Sequence, residues 1–272
     1  MTCPRGKTSR HVVESLTRQR VSIRPVGRSE QVAFDWTDAS TWTPALAGAR
    51  AAYLVYQPDL AMPGAAETVG SLAQLAVRQG LEHLVLLSGR NEPGAQQAEE
   101  AVRATGIDTT IVTTSFFTQN FTEGLLQPMA MSGEIVMPAA DLPEPFVDTA
   151  DIGAVVTAAL TDPRHRGQRY EVTGPTAPTF AEVGAAIGAA TGRTVGFQQV
   201  SSAEFVRRMA AIGVPEPDAE GLAWLFEMIL DGRNSQPTDG IQRALGRPGR
   251  AYTDVIAEAA AAGAYRADGG AA

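Results

Sequence analysis

TCPRGKTSR (residues 2–10) is the stretch on which the fold turns. Its Gly6-Lys7-Thr8 has the ending of a phosphate-binding P-loop, G-x-x-x-x-G-K-[ST], whose backbone amides wrap phosphates after a strand. Counting back five residues from Gly6 reaches Met1, so the first glycine and the strand before it are absent. The P-loop reading falls. Two readings remain open. One is a dinucleotide loop leading into a helix whose N-terminus receives a pyrophosphate; the other is a capped helix start with no ligand.

Downstream of the loop, residues 7–19 have helical periodicity, with Val12, Val13 and Leu16 on one side. Short β-branched runs then alternate with amphipathic stretches, the pattern of a parallel sheet with crossover helices. Strands are expected at 21–26, 31–36, 49–59, 83–89 and 108–114, and helices at 64–79 and 96–106. Later come short strands at 134–138 and 169–175 and a helix at 148–163 with an acidic first turn. Helices at 179–192 and 201–213 each open on a hydroxyl residue with glutamate three positions on (Thr179/Glu182, Ser201/Glu204), a capping-box spacing. Further helices are expected around 224–230 and 251–260. The fold class is α/β, a Rossmann-like doubly wound parallel sheet with a smaller C-terminal lobe on the substrate side. The expected division is a nucleotide-binding core over 1–150, a mostly helical lobe over 151–262 and a disordered tail over 263–272.

The first strand is apparently missing or truncated. In this fold it lies mid-sheet, where unpaired backbone groups are costly. Either the chain starts upstream of Met1, or the sheet has closed up or borrowed a strand.

Composition narrows the function. A net charge of −8 and the lack of any basic run argue against nucleic acid. Cys3 is the sole cysteine, so neither an intrachain disulfide nor a cysteine metal cage can form. With no signal-like start and no long apolar run, a cytoplasmic protein off the membrane is expected. His11, His83 and His165 are widely spaced and read as structural, and no metal site is expected.

Taken together, the segments resemble the NmrA-like family of atypical short-chain dehydrogenase/reductases. That family's T-G-A-T-G-x-x-G-R stands here as TCPRGKTSR, with Cys3 and Ser9 where glycines belong and Gly6 kept. FDWTDASTWTPALAGARAAYLV (34–55), LVLLSG (84–89), AEEAVRATGIDTTIV (98–112), SFFTQNF (115–121), PFVDTADIG (145–153) and YEVTGP (170–175) match its segments in order. The resemblance implies an NAD(P)H-binding oxidoreductase acting on a small organic substrate, with NADP(H) favoured over NAD(H). It places Gly6, Lys7 and Thr8 at the pyrophosphate, Arg28 at a 2′-phosphate, Asp35 beside the adenine, and Gln57 and Pro58 beside the nicotinamide ribose. The lost glycines weaken or abolish that binding. A Cβ at Cys3 crowds a phosphate and Pro4 removes an amide donor, while Arg5 and Lys7 partly compensate by charge.

The Tyr-x-x-x-Lys pair of the wider short-chain group is excluded, because the only lysine is Lys7 and Cys3 stands four before it. Ser88, ending the 83–89 strand, reads either as a hydrogen bond to substrate or as a strand-end cap. Ser115, Phe116, Phe117 and Asn120 are candidate walls of an apolar substrate pocket, with plain core as the alternative for the aromatics. Asp148 and Asp151 read as helix-start residues or as carboxylates near the site. The competing functional class is a protein of this fold without hydride transfer: a cyclase or isomerase of secondary metabolism, or an NADP-sensing regulator. A homodimer is compatible with either.

Overall fold

The computed structural model describes residues 1–266. In chain order its elements are α1 (Ser9–Arg18), α2 (Trp42–Leu46), β1 (Ala51–Leu54), α3 (Ala65–Arg78), β2 (His83–Gly89), α4 (Pro93–Arg103), β3 (Asp108–Thr114), α5 (Leu126–Ser132), β4 (Glu134–Met137), α6 (Thr149–Thr161), β5 (Arg169–Val172), α7 (Phe180–Thr191), β6 (Gly196–Gln199), α8 (Ser202–Ala211), α9 (Glu216–Ile229), α10 (Gly240–Leu245) and α11 (Tyr252–Ala261). They fall into two compact units. The first comprises Met1–Thr114, Thr149–Thr173 and Thr238–Gly249, and the second Ser115–Asp148, Gly174–Pro237 and Arg250 onward. The chain thus passes between the units several times where one boundary near residue 150 was expected. The reason is that β5 must return to pair with β3, carrying α6 with it.

The first unit is built on a parallel sheet in the order β1-β2-β3-β5. β2 and β3 are near-continuous apolar and threonine runs because both faces are covered. Leu84, Leu86 and Ile111 on these strands pack with Val69, Leu72 and Ala76 of α3 and Ala98 and Val102 of α4. Each fully buried Val or Leu stabilises the unit by roughly 1.5–3 kcal/mol. On the other side α1 and α6 pack so closely that a Cβ on Gly153 would come within 2.5 Å of the His11 Cβ.

Beyond β1 the sheet continues only as isolated parallel bridges, Thr2 with Val26 and Val26 with Val32. Thr2 also donates its N–H to the Tyr53 carbonyl at 3.1 Å, so it lies between Val26 and β1, where the first strand of a doubly wound sheet belongs. The strands expected over 21–26 and 31–36 are correspondingly reduced to one bridging residue each. Beside Thr2, the Met1 carbonyl accepts the Val26 N–H at 3.0 Å and the Met1 amino group donates to the Arg24 carbonyl at 3.0 Å, while Pro25 has no N–H to offer.

The second unit holds the parallel pair β4-β6 with α5, α7, α8, α9 and α11. Its core is rich in phenylalanine: Phe116, Phe121, Phe146, Phe180, Phe205 and Phe226 are all buried. The capping box at Thr179/Glu182 forms as expected, and Ser201 accepts the Glu204 N–H. Part of the expected tail is ordered, since Tyr265 is 4% exposed within this core. The rest of that tail lies outside the described residues.

Candidate functional site

Four contacts shape the loop over residues 2–10. The Gly6 N–H donates to the Cys3 carbonyl at 2.8 Å, closing a tight turn. The Val55 N–H donates to Thr2 Oγ1 at 2.7 Å, and Ser9 Oγ donates to the Thr2 carbonyl at 3.2 Å. Cys3 Sγ lies 3.7 Å from the Val55 carbonyl. Cys3 adopts φ +51°, the left-handed region that costs an L-residue about 1–2 kcal/mol. The backbone therefore still demands glycine's conformation where the family has glycine, although the side chain has changed. A Cβ on Gly6 would sit 3.1 Å from the Cys3 carbonyl, so this glycine is retained for space. Ser9, fully buried, fits its position because its hydroxyl is satisfied locally.

The loop delivers the chain into α1 with Thr8 at the N-cap. Thr8 does not cap: its side chain bonds no first-turn N–H, and its Oγ1 instead lies 3.0 Å from the Tyr53 hydroxyl. The N–H groups of Thr8 and Ser9 donate to no acceptor among the described residues. Unsatisfied N–H groups at the positive end of a helix form an anion site. The loop therefore fits a dinucleotide pyrophosphate, with the backbone of Thr8 rather than its hydroxyl as the binding group. Its charge setting agrees. Arg28 is exposed and close enough to influence both Cys3 and Asp35. Burial pushes the Cys3 thiol up, and the Arg28 charge opposes this. Asp35 is held below the usual carboxylate range, first by the Thr37 N–H at 2.9 Å and hydroxyl at 2.8 Å and to a smaller degree by Arg28. Asp35 thus serves a turn while standing beside Arg28.

Gln57 and Pro58 follow β1, exposed and joined by a cis peptide bond. Two residues before Gln57, the Val55 carbonyl accepts Trp36 Nε1–H at 3.1 Å. This ties the segment to the loop, since Thr2 and Cys3 also reach Val55. Ser88 is 4% exposed and donates to Glu99 Oε1 at 2.6 Å. Glu99, itself buried on α4, is ion-paired with Arg169 of β5. The Ser88 proton is thereby committed to the helix–sheet contact, and the expectation of a substrate-facing hydroxyl is not met in this arrangement.

Sequence reasoning missed Glu99, Arg169 and Tyr53. Glu99 carried a signal, because it falls on the same helical stripe as Ala95 and Val102, a carboxylate among apolar positions. Tyr53 carried a weaker one, a hydroxyl inside an otherwise apolar strand.

The remaining candidates belong to the second unit. Ser115 donates to the Pro145 carbonyl at 2.6 Å, and the Phe116 N–H donates to Glu144 at 3.3 Å. The Phe116 ring packs on Phe121, Phe146, Phe180 and Phe226. These two are core, whereas Phe117 and Asn120 are half-buried. Asp148 accepts Gln119 Nε2 and an Arg250 guanidinium nitrogen, each at 2.7 Å. Asp151, in the first unit, pairs with Arg247 at 2.7 Å. Both carboxylates are buried and ion-paired with partly exposed arginines, beyond the helix-start role expected of them.

His83 Nε2 lies 2.9 Å from Thr110 Oγ1, and desolvation pushes its imidazole down to about 4. His165 Nδ1 lies 2.8 Å from the Tyr170 hydroxyl. Among the described residues no cluster of three His, Cys, Asp or Glu side chains is arranged for a metal ion, and no helix is long and apolar enough to cross a membrane.

Comparison with known proteins agrees with this fold. The NmrA-like family profile matches residues 95–252, more than half of the chain. The chain belongs to the NmrA-like family. It is 31% identical over 261 residues to the uncharacterized oxidoreductase YesF of Bacillus subtilis, covering 90% of this chain and 87% of that protein. It is 30% identical over 213 residues to an NAD(P)H azoreductase of Xenophilus azovorans, covering 75% and 74%. The triphenylmethane reductase of Citrobacter sp., solved with NADP(H), superposes with a TM-score of 0.81 at 20% identity, covering 95% of this chain and 98% of that one. The family profile begins after the N-terminal loop, so the reading of residues 2–10 stands on the geometry above.

Proposed function

We propose that the protein is an NAD(P)H-dependent oxidoreductase that reduces a small, electron-poor organic molecule. The observation that carries this reading is the N-terminus of α1, where the Thr8 and Ser9 N–H groups donate to no acceptor among the described residues. In this reading Gly6 keeps the loop low enough for a pyrophosphate to reach those amides. Lys7 adds charge, Arg28 takes a 2′-phosphate, Asp35 borders the adenine and the Gln57-Pro58 segment borders the nicotinamide ribose. NADP(H) is the favoured form because Arg28 and not an acidic residue follows the Val26 bridge. Phe117 and Asn120 are the substrate-side residues, with Ser115 and Phe116 fixing the backbone behind them. Relatives named as an azoreductase and an oxidoreductase support the class.

The bound cofactor would supply hydride. The chain offers no Tyr-x-x-x-Lys pair, and Ser88 is held by Glu99. A suitable substrate is therefore one whose reduced form is stable before it gains a proton, such as a quinone, an azo compound or an extended cation. Solvent then protonates the product, with no general acid needed in the transition state. The same reading places the enzyme in the cytoplasm.

The test is a titration with NADPH and NADH, following energy transfer from Trp36 and Trp42. Binding in the micromolar range with turnover of a quinone or azo acceptor is expected. Absence of binding at millimolar cofactor sinks the reading. Tight binding with no turnover on either panel points instead to the NADP-sensing class, which the committed Ser88 hydroxyl also suits.

A further inference from the structure

The turn that carries Arg28 also carries a carboxylate. Residues 27–30 follow the Val26 bridge, and the Glu30 N–H donates to the Gly27 carbonyl at 3.2 Å. The Glu30 side chain folds back over this turn, since a Cβ on Gly27 would stand 3.4 Å from its Cγ. Its carboxylate reaches the N-terminal loop, with Arg5 Nη2 3.2 Å from Oε1. The Glu30 side chain is 20% exposed and that of Arg5 77%, so the carboxylate is the fixed partner and the guanidinium covers it from the solvent side. Pro4 lies against the same turn, its Cδ 3.7 Å from where a Gly27 Cβ would stand. Loop residues 4 and 5 thus line the turn that holds both Arg28 and Glu30.

The two charges on that turn act in opposite senses on a dinucleotide. An arginine attracts a 2′-phosphate, whereas a carboxylate in this region repels it and suits the free 2′-hydroxyl of NAD. We infer that Glu30 is a specificity-determining residue of the cofactor site, and that Arg5 masks its charge so that NADP(H) is accepted. With Arg5 in place the turn presents a net positive charge; without it Glu30 cancels Arg28. NADPH and NADH differ only in the 2′-phosphate. The ratio of their Kd values therefore reads this charge, and any contact Arg5 makes to the shared pyrophosphate drops out.

This inference rests on the proposed cofactor site, and its test separates the two. Kd for NADPH and for NADH is measured by energy transfer from Trp36 and Trp42 in wild type, Arg5→Gln, Glu30→Gln and the double variant. Preference for NADPH should fall about three- to tenfold in Arg5→Gln and rise by a similar factor in Glu30→Gln, the size of one charge at a partly screened distance. In the double variant, which again leaves one net positive charge, it should return to within about twofold of wild type. These shifts should shrink as salt rises from about 0.1 M to about 1 M, where the Debye length falls from about 10 Å to about 3 Å. Urea midpoints should stay close to wild type, because an exposed ion pair adds little to stability. An unmoved ratio in Glu30→Gln overturns the inference. So does a double variant as unselective as Arg5→Gln, which makes Arg5 a direct ligand of the phosphate. Wild-type protein that binds neither cofactor overturns the oxidoreductase reading together with this inference, whereas binding of both with a ratio deaf to Glu30 overturns this inference alone.

Discussion

Ser88→Ala separates a structural role from a catalytic one. The hydroxyl donates a 2.6 Å bond to a carboxylate that is 2% exposed, so it is a charge-assisted bond in a low-dielectric setting. Its removal should cost about 1.5–3 kcal/mol, because Glu99 then keeps only Arg169 as its strong partner. Glu99→Ala removes the hub and leaves both Ser88 and Arg169 behind; about 3–5 kcal/mol is expected. Since one bond is shared, Ser88→Ala in the Glu99→Ala background should cost at least about 1 kcal/mol less than in wild type. Urea unfolding of the four proteins, read at constant slope, measures the cycle, and steady-state kinetics with NADPH and a quinone measures function. The structural reading expects a lowered midpoint with kcat within a few-fold of wild type. An unchanged midpoint combined with a kcat loss of a hundredfold or more would falsify it and return Ser88 to the reacting centre.

Three further outcomes follow from particular residues. His83 is held near 4 when folded and titrates near 6.5 when unfolded. Only the unfolded chain takes up its proton as pH falls through that window, so this contribution is present above pH 6.5 and lost toward pH 4. It should amount to about 1–2 kcal/mol at pH 5, and His83→Gln should flatten that dependence in urea midpoints at pH 7 and pH 5. Cys3→Gly should relieve the φ +51° strain of about 1–2 kcal/mol against glycine's added chain entropy of about 0.5–1. The net expectation is slightly higher stability together with tighter NADPH binding; a clear loss of both contradicts the loop assignment. Arg28→Ala should raise the Kd for NADPH at least about fivefold and leave NADH unaffected, since the lost contact is to the phosphate alone. Equal loss for both cofactors removes Arg28 from the 2′-phosphate.

Much of the scaffold was legible along the chain because its signals are local. The runs that became β2 and β3 are long and bounded by turns, and α3, α4 and α7 carry their own periodicity, caps and stops. Gly6 and Cys3 could be set against a glycine pattern through the resemblance to the family's loop. Strand formation at 21–26 and 31–36 was not decided by those residues alone, because a strand exists only where a partner pairs with it, and the bridges there are isolated ones at Val26 and Val32. The division into units likewise followed from β5 returning to β3. Side-chain roles were decided at longer range still. Ser88 stands eleven residues from Glu99, and Thr8 stands forty-five from Tyr53. A hydroxyl's partner depends on which elements pack across from it. So the sequence by itself determined that this is an α/β chain, because its strand and helix signals are local, and the tertiary structure decided which partners the side chains of its N-terminal loop hold, because those partners come from elements far along the chain.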